Sequence, residues 1–212
     1  MKIVVISPET DEPREHAVLV ELFAAGLERY HVRKPGWSYE KLSAWLNAVP
    51  SEWRSRLVLH QYLEQAAEFS CGGVHFKDSE GRARPPGAPW FSDGAAVRPY
   101  LFSSCSCHDL VGLDLGLGCF DAVFFSPVFP SISKHGYRPT ISLQSVAERL
   151  SRRTNAERKT EVIALGGITP GNALRCAELG FDGVAMFGAL WQASEPLKIF
   201  DALQQSLAAH VT

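Results

Sequence analysis

The stretch Val162-Ile-Ala-Leu-Gly-Gly-Ile-Thr169, together with Asp182-Gly-Val-Ala-Met-Phe-Gly188, decides the fold of this chain. Each part begins with a short apolar run that predicts a buried strand, and each ends in glycine, which permits a tight turn. Between them, Pro170–Leu179 has the spacing of an amphipathic helix with proline in its first turn. A strand, a helix and another buried strand in this order predict a parallel βαβ unit.

The same unit recurs toward the N-terminus. The eight predicted strands are Lys2–Ser7, Glu28–Arg33, Arg56–His60, Gly73–Phe76, Tyr100–Ser104, Asp121–Ser126, Glu161–Leu165 and Asp182–Met186. The other predicted helices are Arg14–Gly26, Ser38–Ala48, Tyr62–Phe69, a short turn at His108–Leu115, Ser142–Arg152 and Glu195–Ala209. The segment Glu80–Pro99 is rich in Pro and Gly and has no 3.6-residue apolar period, so we predict a loop there.

Eight βα units with continuously apolar strands predict the α/β class and a closed parallel barrel. We therefore expect a single-domain (β/α)8 TIM barrel over residues 1–212, with a degenerate fourth helix. The length lies near the lower limit of about 200 residues for this fold, which accounts for a missing helix.

Composition narrows the classes of function. The formal net charge is −2, which argues against a protein that binds nucleic acid or an anionic membrane surface. The apolar runs are too short to span a bilayer, and charged residues follow Met1–Ser7 where a signal peptide would continue. Five cysteines without a paired spacing predict reduced thiols. We predict a cytoplasmic protein.

In this fold, chemistry takes place where the strands end. His31, His60 and His75 fall at the ends of three successive predicted strands and are the candidate catalytic residues, with general acid or base as the expected role. A single histidine of this kind is more often a half-buried residue bonded to a backbone carbonyl, but three at one mouth favour a polar pocket. Their spacing is not that of a zinc site.

Gly166 and Gly167 after the seventh strand and Gly188 after the eighth predict a phosphate-binding site, because glycine leaves backbone N–H groups open to an anion. The alternative is that these glycines only permit tight turns. After the sixth strand, Ser131 and Lys134 add a hydroxyl and an ammonium group that suit a phosphate.

The run Cys105-Ser-Cys-His108 admits a metal site, but the chain has no distant Cys-x-x-Cys to complete one. Ser106 is the preferred functional residue of this run.

These motifs together resemble the thiamine phosphate synthase/TenI superfamily over essentially the whole chain. The matching segments are His31-Val-Arg33, Gly73-Val-His75, Ser106-x-His108, Ser126-Pro-Val-Phe-Pro-Ser-x-Ser-Lys134 and the two glycine segments. The synthases of this superfamily join hydroxymethylpyrimidine diphosphate to hydroxyethylthiazole phosphate and release pyrophosphate with the help of Mg²⁺. The TenI branch contains thiazole tautomerases, which move a proton on a carboxylated thiazole phosphate.

The resemblance implies roles for individual residues. Arg33, Ser106, Ser131 and Lys134 match positions that hold the diphosphate. Gly166, Gly167 and Gly188 match the thiazole-phosphate site, and His75 matches a position beside the pyrimidine.

The chain departs from the family pattern in four of its motifs. The Asn-Asp pair after the third strand, whose Asp binds Mg²⁺, is His60-Gln61 here. The second metal carboxylate corresponds to Glu80, or to Asp78 with a shift in alignment. The lysine of the second-strand motif is Pro35, and the tautomerase histidine of the sixth-strand loop is Pro127.

Three hypotheses follow. The first is a metal-free proton-transfer enzyme of the TenI type on a thiazole phosphate, which uses His31, His60 or His75 and requires no cofactor. The second is the Mg²⁺-dependent transferase, with Glu80 or Asp78 as metal ligand and a pyrimidine diphosphate as second substrate. The third is a non-catalytic protein that binds thiazole phosphate. Loss of a carboxylate at Gln61 ranks the first slightly above the second. Apolar faces on the short helices are compatible with a homodimer.

Overall fold

The computed structural model describes residues 1–78, 102–132, 136 and 138–208. Eight parallel strands form a closed barrel in sequence order, with β8 paired to β1. The strands are β1 Lys2–Ile6, β2 Arg29–Val32, β3 Leu57–Leu59, β4 Gly73–Phe76, β5 Phe102–Cys107, β6 Ala122–Phe125, β7 Glu161–Leu165 and β8 Gly183–Met186. The predicted (β/α)8 barrel is confirmed, and the eight predicted strands are present. The predicted end of the fifth strand at Ser104 is wrong, because β5 continues to Cys107. The assignment of residues 1–212 to one domain stays a prediction.

The helices in the described part of the chain are α1 Glu15–Ala24, α2 Tyr39–Ala48, α3 Ser51–Arg54, α4 Leu110–Gly116, α5 Leu143–Ser151, α6 Ala173–Glu178, α7 Gly188–Trp191 and α8 Pro196–Ala208. Single 3₁₀ turns cover Leu63–Gln65 and Glu157–Lys159. Among these described helices, none combines the length and apolarity needed to cross a membrane.

The start of α2 and the end of α1 are determined by local hydrogen bonding and backbone conformation. The hydroxyl of Ser38 accepts a hydrogen bond from the backbone N–H of Lys41, which confirms Ser38 as the N-cap of α2. Gly26 ends α1 with a φ of +97°, a conformation that favours glycine.

One helix prediction is wrong. The segment Tyr62–Phe69 forms only a 3₁₀ turn, since Tyr62 takes a left-handed conformation and Ser70 has a φ of +57°. These two positive φ values turn the connection from β3 to β4 too tightly for a full helix. The predicted loop Glu80–Pro99 lies outside the described residues.

Side chains point alternately outward and inward along the strands and so form two separate apolar cores. The larger one lies between barrel and helices and includes Tyr30 and Val32 of β2. The smaller one fills the barrel and consists of Val4, Ile6, Ala122, Phe124, Ile163 and Ala185. Because side chains alternate along a strand, residues between the outward-facing ones point into the barrel. His31 is such a residue, and its ring packs against that of Phe124 at 4.7 Å between centroids.

Candidate active site

A cavity of about 1170 Å³ opens where the strands end. It is lined by most of the residues that the sequence singled out: Arg33, His60, Gln61, His75, Asp78, Ser106, Ser131, Gly166, Gly167 and Gly188. Lys134 and Glu80 lie outside the described residues, so their positions stay predictions. His31 is fully buried and does not line the cavity. Any effect of His31 on a ligand must therefore pass through a neighbour.

The three candidate histidines form one cluster. Nδ1 of His31 lies 2.9 Å from Nε2 of His60, which is a hydrogen-bond distance. The rings of His60 and His75 stack with centroids 4.0 Å apart and an interplanar angle of 17°. Nitrogens of all three residues lie within 4.8 Å of one another, a grouping that could hold a metal ion. The contacts present are hydrogen bonds: His31 pairs with His60, and both nitrogens of His75 lie at hydrogen-bond distance from serine hydroxyls.

Burial keeps these imidazoles neutral. Loss of hydration disfavours the charged form and lowers the pKa of His31 and His60 well below the usual value. The same cause, with a smaller contribution from the charge of Arg33, lowers the pKa of His75 to about 3. All three rings are therefore uncharged near pH 7.

His75 is held from both sides by serines of the neighbouring strand. Its Nδ1 lies 2.8 Å from Oγ of Ser104, and its Nε2 lies 2.8 Å from Oγ of Ser106. Parallel pairing of β4 with β5 sets His75 beside Ser104 in register. Ser104 is buried, whereas Ser106 reaches the cavity.

Arg33 enters the cavity from the end of β2 and is paired there with Glu9, whose carboxylate accepts a hydrogen bond from Nη1. Ser7 fixes the backbone of Arg33: its Oγ accepts from the Arg33 N–H at 2.7 Å and donates to the Arg33 carbonyl at 3.0 Å. The sequence reasoning missed Glu9. Its position just after the first strand is the signal that could have found it, because such residues border the mouth of the barrel.

Close packing explains why glycine occupies the two positions after β7. Gly166 and Gly167 have φ values of +98° and +65°. A Cβ on Gly166 would lie 2.9 Å from Cα of Pro127, and one on Gly167 would lie 2.4 Å from the carbonyl oxygen of Pro130. Tight packing of the loop after β6 therefore requires both glycines, as the alternative explanation supposed. They also line the cavity, as does Gly188 at the start of α7, so the predicted phosphate site stays a prediction.

The thiols of the Cys105-Ser-Cys-His108 run face away from the cavity. Cys105 and Cys107 are buried in the outer core, and burial raises the pKa of the Cys105 thiol to about 12. Ser106 and His108 line the cavity instead, and Nδ1 of His108 lies 2.8 Å from the carbonyl oxygen of Ser126. Alternation along β5 therefore separates the two thiols from the two polar residues, which does not favour a metal site here.

A buried ion pair supports the end of β2. Lys34 has 0% exposure, and its Nζ lies 2.5 Å from Oε2 of Glu15. Oε1 of the same carboxylate accepts from the hydroxyl of Tyr30 at 2.7 Å. Burial raises the pKa of Glu15 and lowers that of Lys34. The sequence reasoning gave Lys34 no role. A lysine beside a predicted cavity would normally be interpreted as a ligand-binding residue. Lys34 instead anchors the loop that carries Arg33, through its ion pair with Glu15.

Comparisons with known proteins identify a family and several similar sequences. The profile of the family described as thiamine monophosphate synthase matches residues 3–190. The chain is 27% identical over 194 residues to a thiamine-phosphate synthase of Methylobacillus flagellatus, covering 88% of this chain and 85% of that protein. It is 28% identical over 195 residues to one of Chromobacterium violaceum, covering 87% and 85%.

The solved structures similar to this chain include two thiamine phosphate pyrophosphorylases. A thiamine phosphate pyrophosphorylase from Bacteroides thetaiotaomicron superposes with a TM-score of 0.75 at 26% identity over 98% of both chains. One from Pyrococcus furiosus has a TM-score of 0.73 at 17% identity, covering 98% of this chain and 96% of that one, and so supports the fold alone.

Proposed function

Because the chain belongs to the thiamine monophosphate synthase family, we propose that it is a transferase that joins hydroxymethylpyrimidine diphosphate to hydroxyethylthiazole phosphate and releases pyrophosphate. The names of its relatives favour this reaction over the proton transfer that the sequence alone ranked first. The family assignment itself places the protein among enzymes of thiamine biosynthesis.

The cavity is the observation that carries the proposal. Its volume of about 1170 Å³ exceeds the range of about 300–1,000 Å³ that is usual for a site holding one small ligand. Polar groups reach it from several strands: Arg33 follows β2, Ser106 lies in β5, and the glycines follow β7 and β8. A cavity of this size with polar groups around its wall suits two phosphorylated substrates.

Arg33 and Ser106 are assigned to the diphosphate, with Ser131 and Lys134 of the loop after β6. A guanidinium forms strong, charge-assisted hydrogen bonds with phosphate oxygens. Arg33 must first leave Glu9, so an arriving diphosphate exchanges one anionic partner for another. Gly166, Gly167 and Gly188 are assigned to the thiazole phosphate.

Gln61 follows β3 and Asp78 follows β4, so both line the cavity on the side between Arg33 and Ser106. One carboxylate together with substrate phosphate oxygens is a donor set that Mg²⁺ accepts. When bound there, Mg²⁺ would neutralise charge on the diphosphate. Glu80 is a further carboxylate two residues along the chain from Asp78.

The test is release of pyrophosphate by the purified protein. We expect release only when both substrates are present, and we expect it to fall when Mg²⁺ is chelated. Arg33→Lys is a suitable variant because it keeps the positive charge but loses the forked geometry. It should raise the KM for the pyrimidine diphosphate more than that for the thiazole phosphate. Absence of pyrophosphate release from the wild type with Mg²⁺ would reject the transferase.

A second candidate is proton transfer on a carboxylated thiazole phosphate. The cluster of three neutral histidines, two of which line the cavity, and the missing carboxylate at Gln61 favour it. His60 would then be the acid or base, because it lines the cavity, whereas His31 is buried and His75 is held by two serines. Chelator-insensitive tautomerisation without pyrophosphate release would identify this activity. Tight binding of thiazole phosphate with neither reaction would identify a binding protein.

A further inference from the structure

A carboxylate lies against the guanidinium that the proposed function assigns to the diphosphate. Nη1 of Arg33 donates a hydrogen bond to Oε1 of Glu9, and both residues line the cavity. The two side chains are similarly exposed, 37% for Arg33 and 34% for Glu9. A carboxylate offers a guanidinium the same kind of anionic acceptor oxygens as a phosphate does. Glu9 and a phosphate therefore compete for the same donors.

The backbone of Arg33 is fixed without Glu9. Oγ of Ser7 accepts from the Arg33 N–H at 2.7 Å and donates to the Arg33 carbonyl at 3.0 Å. Because these two bonds hold the end of β2 in place, only the side chain of Arg33 has to move when it exchanges partners. The position of Arg33 at the cavity therefore does not depend on its ion pair.

Glu9 is held close to Arg33 by the segment on which it lies. This segment between β1 and α1 is joined to the neighbouring β2–α2 connection by several bonds. They are Lys34 Nζ to the Thr10 carbonyl oxygen at 3.4 Å, Lys34 Nζ to Glu15 Oε2 at 2.5 Å and Lys41 Nζ to Asp11 Oδ2 at 2.6 Å. Since the residues that follow Glu9 are tied down, its carboxylate stays near Arg33 after an anion has bound.

The charges around the cavity leave Glu9 without another counter-ion. Among the described residues that line it, Arg33 and Lys77 are positive, and Glu9 and Asp78 are negative. Asp78 is the proposed Mg²⁺ ligand, whereas the ion-pair partner of Glu9 in the described chain is Arg33. A phosphate bound to Arg33 would replace that pair and then lie beside a carboxylate of its own sign, which weakens its binding.

We propose that Glu9 is an internal competitor for Arg33, which limits how tightly and for how long a phosphate anion is held there. This inference rests on the proposed function, which places the diphosphate at Arg33 and Ser106. It adds that the carboxylate returns to Arg33 as pyrophosphate leaves. Release of a tightly held product can limit the rate of an enzyme, so a weaker hold favours turnover. Glu9 acts through Arg33 and is a positioning residue.

Other roles for Glu9 predict the opposite result. If Glu9 only orients the guanidinium for the ligand, its loss should weaken the binding of an anion. If Glu9 is a ligand of Mg²⁺, its loss should raise the Mg²⁺ concentration needed for activity. An internal competitor differs from both, because its loss should strengthen the binding of an anion in the absence of metal.

The test is calorimetric titration of the whole protein with inorganic pyrophosphate, without metal, at pH 7.5. Glu9→Gln keeps the size of the side chain and removes its charge, so we expect its Kd to be about tenfold lower than that of the wild type. The gain should be smaller for inorganic phosphate, which carries less charge. It should also shrink at high salt, because salt screens partly exposed charges.

Control variants separate competition from a general effect of charge. Glu28→Gln makes the same change in net charge just before β2, at the opposite end of the barrel, where the Glu28 side chain is 64% exposed. Its Kd should stay within about twofold of the wild type, since such a charge is screened by solvent. In an Arg33→Met background, Glu9→Gln should give a gain of about twofold at most, because no guanidinium is left to release.

Two binding results would overturn the inference. One is unchanged or weaker binding of pyrophosphate by Glu9→Gln, and the other is an equal gain with and without Arg33. The assay with both substrates and Mg²⁺ adds a kinetic result: pyrophosphate should inhibit Glu9→Gln at about a tenfold lower concentration than the wild type. A higher Mg²⁺ requirement in Glu9→Gln would make Glu9 a metal ligand and would also overturn the inference.

Failure of the inference and failure of the proposed function are distinguishable. Pyrophosphate release by the wild type, with no gain in binding by Glu9→Gln, leaves the transferase standing and removes the internal competitor. Tighter binding by Glu9→Gln without pyrophosphate release by the wild type rejects the transferase and retains an anion site that Glu9 controls. No binding of pyrophosphate by any variant overturns the subsite and the inference together.

Discussion

Nδ1 of His31 lies 2.9 Å from Nε2 of His60, while Nε2 of the same His31 is buried with no hydrogen-bond partner in the described part of the chain. A buried acceptor without a partner costs less than a buried donor without one, so His31 is assigned its hydrogen on Nδ1, where it donates to His60. His60 then carries its hydrogen on Nδ1.

Replacing His31 tests this assignment. His31→Leu removes the unpartnered nitrogen and keeps most of the volume, so we expect the free energy of unfolding to change by less than about 1 kcal/mol. His31→Ala leaves a cavity and should cost about 2–4 kcal/mol. Urea unfolding of both variants measures the difference. A loss of more than about 3 kcal/mol in His31→Leu would show that the bond to His60 is a major anchor.

Stability should fall as pH drops below about 6.5, the ordinary pKa of histidine. The folded pKa values of His31, His60 and His75 are depressed, so the unfolded chain binds more protons in this range. Their stabilisation is complete above pH 6.5 and is lost progressively below it, toward about pH 3 for His75. Each contributes up to about 1.4 kcal/mol per pH unit. Urea unfolding at pH 7.5 and 5.5 should show a smaller pH effect in His75→Gln than in the wild type. An equal effect would contradict this account.

Gly188→Asp should abolish binding of thiazole phosphate, because a carboxylate would take the space of the anion and oppose its charge. Gly188→Ala is the matched control, which adds a side chain without charge and should bind more weakly but measurably. Calorimetry gives both affinities. Unchanged affinity in Gly188→Asp would place the phosphate elsewhere in the cavity.

The barrel could be predicted from the sequence because its signals are local. Most strands are apolar runs of a few residues, and their ends can be read from where polarity begins, as at His60 and Arg33. The exception is β5, whose serines hide its true end at Cys107. The helix over Tyr62–Phe69 was mispredicted because the left-handed conformation of Tyr62 has no signature in a tyrosine.

The candidate site could be predicted only in outline. The order of strands brings His31, His60 and His75 to one mouth, but their depth depends on where each strand ends relative to its neighbours. Two positions along the chain separate the buried His31 from the cavity-lining Arg33. The pairing of Arg33 with Glu9 and that of Lys34 with Glu15 join distant segments, and no local pattern specifies such partners.

His60→Ala distinguishes the two candidate reactions. If His60 is the acid or base of a proton transfer, its loss should lower kcat by roughly 10²–10⁴-fold. In the transferase, His60 only borders the site, so pyrophosphate release should fall by about tenfold at most. Steady-state assays with each substrate set give the two numbers. A loss of 10²-fold or more in pyrophosphate release would give His60 a direct part in the transfer.

Gln61→Asp should raise the rate of pyrophosphate release and the apparent affinity for Mg²⁺. Gln61 lines the cavity, as Asp78 does, and it stands where the synthases of the superfamily have a metal-binding aspartate. Mg²⁺ prefers charged carboxylates together with phosphate oxygens, so a second carboxylate strengthens the donor set. Gln61→Asn is the matched control, since it has the length of aspartate without the charge and should give no gain. The measurement is the Mg²⁺ concentration at half-maximal pyrophosphate release. If both variants behave alike, residue 61 does not take part in metal binding, and Arg33 is the next group to test for neutralising the charge on the diphosphate.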